Sequence, residues 1–182
     1  NGVALDTDAS GVYAAGGFAS ATLDLSEANK PASPSSAKLQ PFVVHVQASD
    51  QSADFKSVPT SSGATDTATA GTATGVAVAH GDGTVFVSFQ MDAAALEWTA
   101  VDASTVTATK AGTAPRACVM AAMDVDGSRA PAWVHVLSAS MSAGSACPGV
   151  AASQSSGIFT ANVESAIDLD GEAVAWWPTV WS

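Results

Sequence analysis

Positive charge is what this chain has least of. Six Lys and Arg stand against seventeen Asp and Glu in 182 residues, a net charge of −11. A protein that grips a phosphate backbone needs the opposite balance, so nucleic acid and anionic membrane surfaces are disfavoured as partners. The bland account of the acidity is a solubilising surface; cations or basic proteins are the functional alternative. Long apolar runs are missing too. None approaches the roughly 18 residues of a membrane-spanning helix, so a soluble chain is expected and no membrane insertion. Bulky residues are few, with one Tyr and two Ile. There is no Asn-x-Ser/Thr acceptor for N-glycosylation, no His-Glu-x-x-His, no Gly-x-Ser-x-Gly and no phosphate-binding Gly-Lys loop. No catalytic motif therefore argues for an enzyme.

What is present is small and apolar. The chain is 47% hydrophobic and 13% charged, mostly Ala and Val, with 15 Gly and eight Pro as punctuation. That suits close-packed sheets better than helices, and the length suits one domain spanning 1–182. It opens on Asn1 rather than Met, which suggests a processed or excised segment with any signal peptide already removed. Together with the Ser, Thr, Ala and Gly richness, this points to an extracellular or secreted protein, or a lumenal one.

Three stretches share one design: Gly2 to Gly17, Gly75 to Ser88 and Gly149 to Ala161. Each reads Gly-Val-Ala, a polar turn, then a β-branched residue beside an aromatic: Val12-Tyr13, Val85-Phe86, Ile158-Phe159. Their starts lie 73 (75 − 2) and 74 (149 − 75) residues apart, the near-constant spacing of a repeat architecture. The repeats are bounded at about 1–62, 63–143 and 144–182. In the first, a strand pair is expected within 2–17, followed by 18–25 and a Pro/Ser-rich loop, then a strand in 41–50 and a short one at 53–58, so the unit reads strand, turn, strand, loop, strand, turn, strand: a four-stranded antiparallel blade. In the second, the pair in 76–89 and the strands at 117–124 and 132–136 take the same places, and 98–109 reads as a partly exposed strand or insertion. The third is compressed, with 157–163 and then 166–177 closing it.

Two late segments also match each other. Met123-Asp124-Val125-Asp126-Gly127 and Ile167-Asp168-Leu169-Asp170-Gly171 share the apolar start, both Asp and the Gly, and Trp133 and Trp177 end the matched stretches. The whole pattern resembles the SBBP-type β-propeller repeat proteins, whose blades run Gly-Ile/Val-Ala-x-Asp, Gly-x-Val-Tyr-x-x-Gly, a variable loop, then Ala-Phe-Val-x-Lys-Leu-Asp-x-x-Gly and a Trp. Gly2 to Gly17 with Phe42 to Phe55, Gly75 to Phe89 with Cys118 to Trp133, and Gly149 to Ala161 with Ile167 to Trp177 carry the resemblance. The family's Lys is His45, Ala122 or absent here. What the resemblance implies is an all-β fold of antiparallel four-stranded blades, a partial propeller or one completed by another chain, since closed propellers need four to eight blades. A two-sheet β-sandwich is the competing architecture.

Candidate site residues are few. Asp168, Asp170 and Glu172 sit in an Asp-x-Asp turn whose oxygens suit Ca²⁺; Asp6-x-Asp8 and Asp124-x-Asp126 are the related turns. The alternative is that each Asp accepts turn N–H groups while Gly supplies positive φ. In the propeller alignment Cys118 and Cys147 meet at a blade boundary, which makes a disulfide the expected state and two buried thiols the alternative. Trp133 and Trp177 hold equivalent places and suit packing between blades. Trp98, Trp176 and Trp181 do not recur, and are candidates for a surface platform that stacks on sugars or anchors a partner. His45 and His135 read as surface or half-buried strand residues, and His80 lies in a turn. The expectation is a non-enzymatic extracellular structural and interaction protein, assembling with itself or with another protein. A secreted carbohydrate-binding module is the alternative, and an enzyme domain with catalytic groups elsewhere is the third reading. No cofactor is expected, calcium being the one exception weighed.

Overall fold

Valine and small residues fill pleated surfaces without crowding, and in the computed structural model they form strands throughout. The structure describes residues 4–19, 39–62, 71–100, 102–111, 116–123, 130–139, 146–162, 167–170 and 172–174. The strands are β1 (Ala4–Thr7), β2 (Gly11–Phe18), β3 (Gln40–Gln47), β4 (Ala53–Ser57), β5 (Thr60–Ser62), β6 (Gly71–Val78), β7 (Val85–Met91), β8 (Ala95–Thr99), β9 (Thr105–Thr109), β10 (Ala117–Met123), β11 (Trp133–Ala139), β12 (Ala146–Ala152), β13 (Gly157–Asn162), β14 (Ile167–Leu169) and β15 (Glu172–Val174). Every pairing among them is antiparallel, and the described residues include no helix.

The first sheet is the expected four-stranded meander, β1-β2-β3-β4. Its turns are closed by carboxylates: Asp8 accepts from the Ser10 and Gly11 amides at 2.7 and 3.0 Å, and Asp50 from the Ser52 amide at 2.9 Å. The second sheet carries the same meander as β6-β7-β10-β11 and then continues, in the order β15-β14-β11-β10-β7-β6. Residues 98–109, expected as a partly exposed strand or an insertion, fall in the hairpin β8–β9, which joins β5 in a three-stranded sheet. The third copy of the repeat is the isolated hairpin β12–β13.

These sheets stack as layers, because alternation gives each strand two apolar faces. On one face of the six-stranded sheet, Val76, Val78, Val85, Val87 and Phe89 pack with Tyr13, Ala15 and Val43 of the first sheet and with Leu96, Trp98 and Ala108 of the insertion. On the other, Ala79, Phe86 and Ala122 pack with Val150, Ala152 and Phe159 of the third hairpin. Fully buried Phe89, Met91, Leu96 and Trp98 each contribute about 1.5–3 kcal/mol of apolar burial. The first two layers are also tied by a polar bond, the Val78 amide donating to Asp6 Oδ2 at 2.6 Å. The third is tied covalently: Cys118 of β10 is bonded to Cys147 of β12, as expected.

The third hairpin departs from the others by one residue. Gly149 to Ile158 spans nine residues (158 − 149), where Gly75 to Val85 spans ten (85 − 75). A one-residue slip exchanges the two faces of a strand. Phe86 pairs with Ala77, but Phe159 pairs with Val150 and turns back onto the second layer, leaving Ile158 64% exposed on the outside. Gly157 is required by the same closeness, since a Cβ there would stand 2.6 Å from the Phe86 ring.

The third unit is not closed in the expected way. Ile167–Leu169 and Glu172–Val174 form a hairpin, β14–β15, that joins β11 rather than β13. Asp170 explains the choice: its amide donates to the Val136 carbonyl at 2.8 Å, and its Oδ1 accepts from the Val136 amide at 2.7 Å. Among the described residues none of the sheets is closed on itself.

Candidate functional site

The two strands β12 and β13 lie over only part of the six-stranded sheet. Cross-strand pairs Ala122↔Trp133 and Met120↔His135 put Trp133 and His135 on the covered face, beyond the hairpin's edge. There Trp133 is 37% exposed, and its ring meets Phe86 at 6.2 Å, Phe159 at 6.3 Å and His135 at 5.0 Å between centroids. His135 Nδ1 donates to Asp170 Oδ2 at 2.6 Å, and both side chains are about half exposed. Leu169, 37% exposed, pairs with Leu137 on the adjoining strand. An aromatic ring, a polar ring and a carboxylate thus share one open surface.

Trp133 keeps its expected role between layers, through Phe159, but it also supplies the exposed ring that was sought elsewhere. Trp98 corrects the expectation of a surface platform. It is 1% exposed and packs on Phe89 at 5.7 Å, because β8 turns that face onto the shared core. Trp176, Trp177 and Trp181 lie outside the described residues. Alternation in 95–99 was the signal that could have placed Trp98 inside, with Leu96 as its inward neighbour two residues away.

Asp170 is committed to the protein at both oxygens, to the Val136 amide and to His135. With φ of 54°, it adopts the left-handed backbone that Asp tolerates, between the paired strands β14 and β15. Asp168 and Glu172 belong to β14 and β15, so the stretch is a hairpin rather than an open ligand loop. Among the described residues no group of three or more His, Cys, Asp or Glu is placed to hold a metal ion. Asp6 and Asp8 likewise serve different elements: Asp6 binds the Thr7 and Val78 amides, and Asp8 the turn before β2. Asp124 and Asp126 lie outside the described residues.

His45 is buried, at 4% exposure, where a surface or half-buried residue was expected. It stacks on Tyr13 at 4.3 Å and 17°, since the pair Tyr13↔His45 faces the second layer. Its Nε2 meets Ser10 Oγ at 3.1 Å, and that hydroxyl donates to Asp8 Oδ1 at 2.6 Å. A serine whose proton already goes to a carboxylate is held as a turn brace and is not activated by the ring. Burial raises the Asp8 pKa, but the Ser10 and Gly11 hydrogen bonds and the His45 ring outweigh it and hold the carboxyl below its ordinary value.

Comparison with known protein families, with curated proteins and with solved structures finds no match.

Proposed function

We propose that this chain is a non-enzymatic structural and interaction module, a stack of propeller-like antiparallel layers that is extended by another protein, in the first instance a second copy. One observation carries this reading. Val78 and Val85, 2% exposed, lie against the first sheet; Leu5 and Val12 hold the same places in the first repeat and are 64% and 36% exposed. Positions that one repeat buries under its neighbour are open in the next. The opposite end of the stack presents Ile158, also 64% exposed. A head-to-tail contact between these faces is heterologous, so it propagates instead of closing into a symmetric dimer. A disulfide, and no helix among the described residues long and apolar enough to cross a membrane, are compatible with an extracellular site of action.

The test is the self-association of the chain followed by sedimentation across a wide concentration range. The expected result is a mass that climbs with concentration and is unchanged by calcium, because the Asp170 oxygens are already taken. A monomer at every concentration would contradict self-stacking. A carbohydrate-binding role stands second, favoured by the exposed Trp133 ring beside His135 and Asp170. Glycan binding abolished by Trp133→Ala would put it first.

A further inference from the structure

In both complete meanders the outer edge of the second strand is occupied by a third: β3 lies against β2, and β10 against β7. Among the described residues β13 has no such neighbour, and β12–β13 stands as a two-stranded sheet. The ground beside it is suitable. The Phe159 ring of β13 reaches Trp133 of β11, so the next strand position outward lies above β11. There Trp133 is 37% exposed, the His135 side chain 52%, and Met120 and Leu137 are half-buried.

We propose that the outer edge of β13 is a strand-acceptor site, taking in trans an uncharged, extended apolar segment of the third-strand type from another molecule carrying this repeat. The occupant is specified by the two third strands already in place. β3 reads Gln-Pro-Phe-Val-Val-His-Val-Gln and β10 Ala-Cys-Val-Met-Ala-Ala-Met, neither with a charge. At eight and seven residues, they are long enough to pair with all six of β13. Main-chain hydrogen bonds to the edge would supply affinity, and alternate side chains resting on Trp133 and Met120 would supply selectivity. The proposal rests on the layered repeat reading but uses a different surface from the end-to-end contact, so the failure of one leaves the other standing.

The probe is a synthetic peptide of residues 40–47 added to the intact, oxidised chain. Saturating peptide is expected to slow amide exchange in Gly157–Asn162 and to shift Trp fluorescence. The same peptide N-methylated at alternate residues is expected to bind at least tenfold more weakly, because it cannot complete a ladder. Trp133→Ala is expected to weaken binding about tenfold, with Trp133→Phe recovering most of it. If Trp133→Ala fails to fold, the N-methylated peptide on the unaltered chain still decides. Equal binding of the methylated peptide, or unchanged exchange in Gly157–Asn162 at saturation, would overturn the proposal. So would binding of a linear oligosaccharide at Trp133 with none of the peptide, which would assign the surface to sugar.

Discussion

Single carboxylates close the turns that hold this chain together, and their effect has a pH signature. Backbone and side-chain hydrogen bonds from Ser52, Thr84 and Ser104 hold the exposed Asp50, Asp82 and Asp102 carboxyls below their ordinary value, as the Ser10 and Gly11 bonds do for Asp8. A carboxyl whose folded pKa lies below its unfolded 3.8 contributes stability that is complete above 3.8 and lost as the pH falls through the folded value. The thermal midpoint should therefore be flat from pH 7 to 5 and fall below about 4. Asp8→Asn should remove part of that fall, and an unchanged acid limb would contradict the assignment. Asp170→Ala should cost about 1 kcal/mol in urea unfolding, through the orphaned Val136 amide and the strain of a positive φ. Asp170→Asn, which tolerates that φ, should cost less. Gly157→Val should destabilise by about 1–3 kcal/mol, since its branched side chain is driven into Phe86. At this scale the sequence was readable where an Asp or Gly served its own turn. It was unreadable where a carboxylate reached a distant strand, as Asp6 does to Val78, because no local pattern announces such a partner.

Elements were more legible than the faces they present. Alternation and turn residues placed the four strands of the first meander and the core strands of the second within a few residues, with 98–109 read as a partly exposed strand or insertion between them. Which neighbour β14–β15 would choose was not legible, because an edge is won by geometry, here the Asp170 clamp on Val136. Nor was the facing of Trp133, which depends on the layer above its strand. The third hairpin is held to the stack by the packing of Val150, Ala152 and Phe159 and by the bond between Cys118 and Cys147, 29 residues apart. Closing a loop of that size stabilises by about 3–4 kcal/mol in the chain-entropy account. Cys118→Ala/Cys147→Ala should accordingly lower stability by roughly that amount and raise amide exchange across Ala146–Asn162 more than across Gly11–Phe18. Equal loss of protection in both would show that the hairpin and the first sheet unfold as one unit.

At the scale of the whole molecule, the spacing of the Gly-Val-Ala stretches led to the expectation of antiparallel four-stranded blades. The all-β antiparallel class is what the structure shows, and among the described residues none of the sheets closes. How many strands complete a layer, and what lies beyond the last one, depends on contacts that no single repeat contains. The central claim is that the Leu5–Val12 face and the Ile158 face are the two halves of one heterologous contact. The most direct measurement is light scattering on Leu5→Asp and Ile158→Asp chains, alone and mixed. Each variant keeps one intact face, so each alone should remain at 18.0 kDa, while an equimolar mixture should form a dimer of twice that mass and stop there. A mixture that stays monomeric, or single variants that still assemble like the parent, would contradict the account.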